Sequence, residues 1–218
     1  DNCSLSALAL DMTTFTCDDI GPNPVLLTVT DQSGNESSCI ALATVEDNVA
    51  PQSLCQDVTV QLDASGSGTL TATEVDNGSD DLCGAVTTVL DINTFGCGDV
   101  GSNTVTLTVE DEYGNTSTCA ATITVEDNLA PVAECQPATV QLDAIGVGSL
   151  TAMAIDGGSS DNCGIDKLTL SSSAFGCDDI GTNTITLTVT DENGNSSTCT
   201  ADVMVEDNIA PVALCQNT

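Results

Sequence analysis

Four columns of cysteines most constrain what this chain can fold into. The twelve cysteines recur with a spacing of 80 residues, at positions 3, 83 and 163; 17, 97 and 177; 39, 119 and 199; and 55, 135 and 215. Phe15, Phe95 and Phe175 follow the same spacing, as does the dipeptide Gly-Asn at 34–35, 114–115 and 194–195. A fixed internal period of this size predicts tandem copies of one structural unit.

Each copy has the residue pattern of β-structure. In residues 183–190, threonines alternate with Ile, Leu and Val, which is typical of a strand with one buried and one exposed face. In the copy that starts at Pro51, this pattern predicts strands near 57–63, 68–75, 85–91, 103–110 and 118–126, with a short one near Phe95. Six or seven strands in about 80 residues favour an all-β fold of tandem immunoglobulin-like β-sandwich repeats arranged head to tail.

A proline-containing segment indicates where one repeat ends and the next begins. Val-Glu-Asp-Asn, any residue, then Ala-Pro occurs at 45–51, 125–131 and 205–211. We therefore expect a partial repeat at 1–48 that lacks its first two strands, complete repeats at 49–128 and 129–208, and the start of a further repeat at 209–218. A chain divided in this way is expected to be one segment of a longer polymer of repeats.

The charge of the chain excludes several functions. Of 218 residues, 33 are Asp or Glu, only Lys167 is basic and none is His, so the net charge is -32. Nucleic acids and anionic membranes need a basic surface, and imidazole-based catalysis needs a histidine. The sequence has no apolar run long enough to predict membrane insertion. A glycosidase would need aromatic residues that stack on sugars, but the chain has no Trp and only Tyr113, so we expect no catalytic residues.

The cysteines indicate an oxidising, extracellular location, because cytosolic reductants would keep them as thiols. The nearest cysteines are 14 residues apart, which disfavours a zinc site. A bond between Cys119 and Cys135 is disfavoured, because the strand between these cysteines carries the chain about 27 Å. The first and last strands of an immunoglobulin-like sandwich begin side by side, which favours bonds between cysteines near the starts of these two strands. The predicted bonds are Cys55–Cys119, Cys135–Cys199, Cys3–Cys17, Cys83–Cys97 and Cys163–Cys177. Cys39 and Cys215 then lack partners, which favours continuation of the polymer by the chain or by a neighbouring subunit.

The acidic residues are placed by the period, since 19 of the 33 occupy columns that are acidic in every copy present. The linker, the loop after the second strand and a hairpin loop are expected to meet at each junction between repeats. Clustered carboxylates repel one another, and Ca²⁺ removes this conflict by taking six to eight oxygen ligands. The candidate ligands are Glu46, Asp47, Asn48, Asp80, Asp81 and Asp111 at one junction, and Glu126, Asp127, Asn128, Asp161 and Asp191 at the other. Asp99 and Asp179, at the opposite end of each sandwich, are further candidates.

Four motifs carry a resemblance to a known family. Asp-Asn-Cys-Gly at 161–164, Phe-Gly-Cys-Asp-Asp-Ile-Gly at 175–181, Thr-Val-Thr-Asp-Glu-Asn-Gly-Asn at 188–195 and Val-Glu-Asp-Asn-Ile-Ala-Pro at 205–211 resemble the hyalin-repeat (HYR-type) immunoglobulin-like domains of large bacterial surface proteins. The linker is also similar to the calcium linker of cadherins, though shorter by one acidic position. The hyalin-type resemblance implies an extracellular adhesion or stalk module without catalysis.

The leading hypothesis is therefore a shaft segment of an extracellular bacterial fibre or giant adhesin, stapled by disulfides, stiffened by Ca²⁺ and joined to further copies of the same repeat. The alternatives are a module that binds glycans or a host protein, and a subunit of a donor-strand pilus. Sequons would permit glycans, but Asn35, Asn115 and Asn195 lie in a turn where Gly-Asn has a conformational reason.

Overall fold

The structure is a computed structural model that describes residues 4–215. Nearly all of its regular structure is β, as the sequence predicts. In chain order the strands are β1 (Leu5–Leu10), β2 (Gly21–Asp31), β3 (Glu36–Val45), β4 (Val58–Gln61), β5 (Ser67–Thr69), β6 (Val86–Leu90), β7 (Thr94–Gly96), β8 (Gly101–Asp111), β9 (Thr116–Glu126), β10 (Ala138–Gln141), β11 (Gly148–Ser149), β12 (Ile165–Leu170), β13 (Ala174–Phe175), β14 (Gly181–Asp191) and β15 (Ser196–Glu206). The helices are one-turn segments: α1 (Ala72–Val75), α2 (Ala152–Ile155) and 3-10 turns at Cys17–Asp19, Cys97–Asp99 and Cys177–Asp179.

The third copy of the repeat shows the complete sheet arrangement. One sheet has the order β10-β15-β14-β12, and β11 pairs with β13 in a second, smaller sheet. β10 and β15 run parallel, as expected for the first and last strands of an immunoglobulin-like sandwich. Alternate residues of β14 and β15 point inward, so that Leu187, Val189, Val203 and Val205 are buried in one apolar core.

The other copies follow the same strand order. The second copy has sheets β4-β9-β8-β6 and β5-β7, and the described part of the first copy has the sheet β1-β2-β3. Phe15 is 38% exposed, whereas Phe95 and Phe175 are 6% and 5% exposed. Phe95 and Phe175 each lie on a short strand that pairs with a strand from early in the repeat, and residues 4–48 supply no such strand.

The prediction of one strand over 68–75 is wrong, because this segment is the end of β5 followed by α1. The carboxylate of Glu74 accepts hydrogen bonds from the backbone N–H and the hydroxyl of Thr71, both at 2.7 Å, which caps the helical turn. Leu70 and Val75 are both buried. The apolar and polar residues of 70–75 thus fit one helical turn as well as a strand.

Two of the predicted disulfides are present and three predictions are wrong or lie outside the described residues. Cys55–Cys119 and Cys135–Cys199 each join residues 64 apart, as predicted. Cys17 bonds Cys83, and Cys97 bonds Cys163, so the predicted pairs Cys3–Cys17, Cys83–Cys97 and Cys163–Cys177 do not form. Cys3 lies outside the described residues, and Cys39, Cys177 and Cys215 are free and exposed.

The error has a physical cause that the third copy makes clear. β12 (Ile165–Leu170) lies between Cys163 and Cys177, and six strand residues carry the chain about 20 Å. The Cα atoms of a disulfide lie within about 7 Å of each other, so this strand keeps the two cysteines apart. Cys163 instead bonds Cys97 of the preceding copy, at a Cα–Cα distance of 5.3 Å.

The chain divides into two compact units. The first comprises the residues up to Val58, Leu70–Asn93 and Thr104–Ile123, and contains Cys17–Cys83 and Cys55–Cys119. The second comprises Thr59–Thr69, Thr94–Asn103 and the residues from Thr124 onward, and contains Cys97–Cys163 and Cys135–Cys199. The repeat boundaries at 48, 128 and 208 stay a prediction. Within residues 4–215, no helix has the length and apolar character needed to cross a membrane.

Candidate metal centre

In each of two groups of three aspartates, one carboxylate oxygen from every residue lies within 4.8 Å of those of the other two. The members of each group come from a linker, from the loop before β6 or β12 and from a hairpin loop. At the first junction these residues are Asp47, Asp81 and Asp111, and at the second junction they are Asp127, Asp161 and Asp191; we call each group a triad.

The hairpin aspartate is fixed by a tight turn. Oδ1 of Asp111 accepts hydrogen bonds from the backbone N–H groups of Tyr113 and Asn115, both at 2.8 Å. Oδ2 of Asp111 accepts a third, at 2.8 Å, from the side-chain amide of Asn115. Gly114 has a φ of +87°, a conformation that glycine adopts without strain. The turn therefore holds the carboxylate in one orientation.

The same asparagine joins the turn to the linker. Besides its bond to Asp111, the amide of Asn115 donates to the backbone carbonyl of Asp47 at 3.1 Å. At the second junction, Asn195 donates to Asp191 at 2.8 Å and to the carbonyl of Asp127 at 3.0 Å. The sequence interpretation treated these asparagines as turn residues only. The period of the Gly-Asn dipeptide was the available signal, but it does not show which carbonyl the amide reaches.

The loop aspartate lies beside an inter-repeat disulfide. Asp81 accepts a hydrogen bond from the backbone N–H of Cys83 at 2.7 Å, and Asp161 accepts one from Cys163 at 2.8 Å. Cys83 and Cys163 are the cysteines that bond the preceding copy. Each disulfide thus anchors the loop that supplies one carboxylate of the triad.

The linker aspartate carries an oxygen that no donor satisfies. Oδ1 of Asp47 accepts from the N–H of Val49 at 3.0 Å, and Oδ1 of Asp127 accepts from the N–H of Leu129 at 3.2 Å. Oδ2 of both residues is buried and has no hydrogen-bond partner among residues 4–215. Buried polar atoms are nearly always paired, so an unpaired charged oxygen beside two more carboxylates points to a cation.

Coulomb's law gives the magnitude of the repulsion between the carboxylates of a triad. Two unit charges about 4.8 Å apart repel by about 1 kcal/mol in water and by about 3 to 4 kcal/mol at the effective dielectric constant near a protein surface. Asp111, Asp127 and Asp191 are 6%, 5% and 2% exposed, so solvent screens the carboxylates only partly. The only basic side chain of the protein, Lys167, is exposed. A hard divalent cation with oxygen ligands fits this donor set, and Ca²⁺ is the usual one in flexible sites.

The hairpin turn also shifts a pKa. Burial raises the pKa of Asp111, but the hydrogen bonds from the side chain and backbone of Asn115 and from the N–H groups of Tyr113 and Gly114 outweigh this, so that the pKa lies below its ordinary value. In the equivalent turn of the first copy, the side-chain amide of Asn35 is the main cause that lowers the pKa of Asp31. The turn therefore favours the ionised form of the carboxylate.

Some predicted ligands lie elsewhere. Glu126 accepts from Gln61 at 2.7 Å and from Asn128 at 3.1 Å, and Asn128 also donates to Gln61, so these residues tie the linker to β4. Asp80 is exposed, and its backbone pairs with Gln52. Glu46, Asp80 and Glu126 are not among the three aspartates of either triad, and Glu46 and Asn48 are exposed. Asn48 and Asn128 stay predicted ligands.

Asp99 and Asp179 have a local structural role. Each accepts a hydrogen bond from the backbone N–H at the start of its 3-10 turn, from Gly96 at 2.8 Å and from Gly176 at 2.7 Å. These contacts cap the turns that carry Cys97 and Cys177. Neither aspartate belongs to the described triads.

The second junction has a contact that the first lacks. Asn162 donates to Oδ1 of Asp127 and to the carbonyl of Asp63, both at 3.2 Å. The equivalent residue at the first junction is Leu82, which is 90% exposed. The triads are therefore alike, but their surroundings differ.

No protein-family model matches the chain, and no curated protein sequence matches it. Among solved structures, the chain is similar to a protocadherin gammaB7 EC3-6 cis-dimer, with 15% identity and a TM-score of 0.35 over 89% of this chain and 60% of that one. Human protocadherin-24 EC1-2 has 13% identity and a TM-score of 0.39, covering 74% and 100%. Mouse cadherin-23 EC22-24 has 12% identity and a TM-score of 0.37, covering 89% and 78%. The chain spans about three fifths of the gammaB7 chain.

Proposed function

We propose that the chain is a structural segment of an extracellular bacterial fibre or giant adhesin stalk of the hyalin-repeat type. In this function, Ca²⁺ at the junctions holds successive repeats at a fixed angle, and the disulfides prevent them from separating. The buried, unpaired Oδ2 atoms of Asp47 and Asp127 are the observation that carries the proposal, because the same charge conflict occurs at both junctions.

The inter-repeat disulfides support the structural role. Cys17–Cys83 and Cys97–Cys163 each join one copy of the repeat to the next, which a string of independently moving binding modules does not require. A bond that closes a loop of about 66 residues stabilises a fold by about 4 kcal/mol in the loop-entropy model. Covalent and ionic links therefore act at the same places. Further copies of the same repeat are the partners that this function requires.

Thermal unfolding in Ca²⁺ and in EDTA tests the function, with Mg²⁺ as a second ion. We expect Ca²⁺ to raise the melting temperature and Mg²⁺ to raise it less, because Mg²⁺ demands a strict octahedral geometry. Small-angle scattering on the same samples measures stiffness, and we expect the maximum dimension to be longer and better defined in Ca²⁺. If chelation changes neither the melting temperature nor the scattering, the proposal is wrong.

A variant with one altered carboxylate separates the site from general acidity. Asp178→Asn is a matched control, since Asp178 is exposed and its position is occupied by glycine in the preceding copy. The control should keep the full effect of Ca²⁺. Asp191→Asn should lose the part that belongs to the second junction.

A further inference from the structure

The residue that follows the loop aspartate differs between the two junctions. It is Asn162 at the second junction and Leu82 at the first. The side-chain amide of Asn162 donates to Oδ1 of Asp127, the linker aspartate of the second triad, at 3.2 Å. The side chain of Leu82 is 90% exposed, and leucine has no group that can donate to a carboxylate. The second triad therefore has a hydrogen-bond donor that a leucine does not supply.

The other hydrogen bonds of the two triads match. Asp111 and Asp191 each accept two backbone N–H bonds and one amide bond within the hairpin turn, at 2.8 to 2.9 Å. The loop aspartates accept from the N–H of a disulfide cysteine at 2.7 and 2.8 Å, and the linker aspartates accept from the N–H two residues further on at 3.0 and 3.2 Å. The chain therefore contains two versions of one site, and Asn162 distinguishes their hydrogen bonding.

Asn162 is itself held by the tight turn that follows β4. An amide has two donor hydrogens, and that of Asn162 also donates to the backbone carbonyl of Asp63, at 3.2 Å. The carboxylate of Asp63 closes the turn by accepting from the N–H groups of Ser65 and Ser67, at 2.8 and 3.1 Å. Gly66 has a φ of +73°, and a Cβ there would lie 2.9 Å from the carbonyl oxygen of Asn162. Asn162 thus connects a carboxylate of the triad to a fixed part of the fold.

This connection should strengthen metal binding at the second junction. A carboxylate that is already oriented loses less side-chain freedom when it binds a cation. Oδ2 of Asp127 has no partner in the part of the chain that the structure describes, so the bond to Oδ1 leaves one oxygen available to the ion. Hydrogen-bond partners of metal ligands typically change metal affinity by about 10- to 100-fold. Asn162 is therefore a positioning residue that acts through Asp127.

We infer that Asn162 makes the second junction the tighter calcium site, so that it fills before the first. The inference rests on the proposed function, since it concerns the affinity of the same triads. The dissociation constant of the second junction should be about 10- to 100-fold lower than that of the first. At Ca²⁺ concentrations between the two constants, only the second junction is filled. The residue after the loop aspartate thus sets the Ca²⁺ concentration at which its junction stiffens.

Tb³⁺ luminescence distinguishes the two junctions, because the chain has one tyrosine and no tryptophan. Tb³⁺ binds oxygen ligands as Ca²⁺ does, and it emits light when an excited tyrosine lies nearby. Tyr113 belongs to the turn of the first triad, where its N–H donates to Oδ1 of Asp111, and the second junction has Asn193 at this position. Tyrosine-sensitised emission therefore reports the first junction, and Asp111→Asn should abolish it.

The test titrates the 218-residue chain with Tb³⁺ and compares the emission with the total bound Tb³⁺, measured by ultrafiltration. In the wild type, we expect the emission to lag behind the bound ion, because the second junction fills first. Asn162→Leu should weaken the second junction about 10-fold or more and remove the lag. Leu82→Ala is the matched control and should keep the lag, since it changes the equivalent position without adding a donor. Calorimetric titration with Ca²⁺ should show two classes of affinity in the wild type and one in Asn162→Leu.

Two outcomes would overturn the inference. In the wild type, the emission could rise in proportion to the bound ion, or ahead of it, from the first addition. Alternatively, Asn162→Leu could keep the lag of the wild type. In both cases the triads still bind the ion, so the proposed function stands. Absence of Ca²⁺ binding at both triads contradicts the proposed function itself.

Discussion

At the scale of single residues, each junction depends on one asparagine and one unpaired oxygen. Asn115 and Asn195 connect a hairpin carboxylate to a linker carbonyl, while Oδ2 of Asp47 and Asp127 has no hydrogen-bond donor in the part of the chain that the structure describes. The period alone predicted the three aspartates of each triad, because only placed residues recur in columns. It could not predict the unpaired oxygen or the hydrogen bonds that Glu126 accepts from Gln61 and Asn128, since these depend on side-chain orientation.

The unpaired oxygen predicts that one substitution changes stability in opposite directions without and with Ca²⁺. In Asp127→Asn, an amide replaces Oδ2 and can donate to the neighbouring carboxylates, so the calcium-free protein should become more stable. The expected rise in melting temperature is about 2 to 4 °C for each kcal/mol of repulsion removed. In Ca²⁺ the same variant should be less stable than the wild type, because a charged ligand is lost. Calorimetry in both conditions measures both signs, and equal shifts in the two conditions would contradict the site.

A second residue-scale prediction concerns acid. A hydrogen bond from the backbone N–H of Thr106, at 2.8 Å, lowers the pKa of Asp91 below its ordinary value of 3.8. Because the pKa is lower in the folded than in the unfolded state, Asp91 contributes stability above about pH 4 and loses it as the pH falls through the folded pKa. Ser171 makes the equivalent bond, to Thr186 at 3.0 Å, without a charge. Asp91→Ser should therefore lose unfolding free energy less steeply than the wild type between about pH 5 and pH 2 in urea titrations. Identical slopes would contradict this role.

At the scale of elements, the sequence predicted the long strands better than the helical turns and the short disulfides. The alternation of apolar and polar residues predicted the long strands, because a half-buried strand has a period of two. It did not predict α1, where the cap formed by Thr71 and Glu74 decides the local structure. Assigning the long disulfides first left pairs of cysteines 14 residues apart as the predicted short ones, although β12 keeps Cys163 away from Cys177. The separation of 66 becomes visible only when cysteines of neighbouring copies are compared.

The inter-repeat disulfide should stabilise the fold and the metal site together. Cys97→Ser combined with Cys163→Ser should lower the free energy of unfolding by about 4 kcal/mol. It should also weaken Ca²⁺ binding, because the loop of Asp161 loses its anchor. Urea unfolding and calcium titration calorimetry measure the two effects. An unchanged calcium affinity would show that the disulfide and the triad act independently.

At the scale of the whole molecule, the acidic residues follow the repeat. Many of the 33 carboxylates occupy repeated columns, and six of them form the two triads. The net charge of -32 is therefore a property of the metal-free protein, and bound Ca²⁺ would reduce it. The exclusion of nucleic-acid binding follows from the sequence alone, whereas the positions of the triads required the fold.

Anomalous diffraction from crystals of the chain grown in Ca²⁺ tests the central claim most directly. We expect an anomalous difference peak within coordination distance, about 2.3 to 2.6 Å, of carboxylate oxygens from Asp47, Asp81 and Asp111, and a second peak at Asp127, Asp161 and Asp191. Calcium-containing crystals with ordered carboxylates and no peak at either triad would contradict the claim.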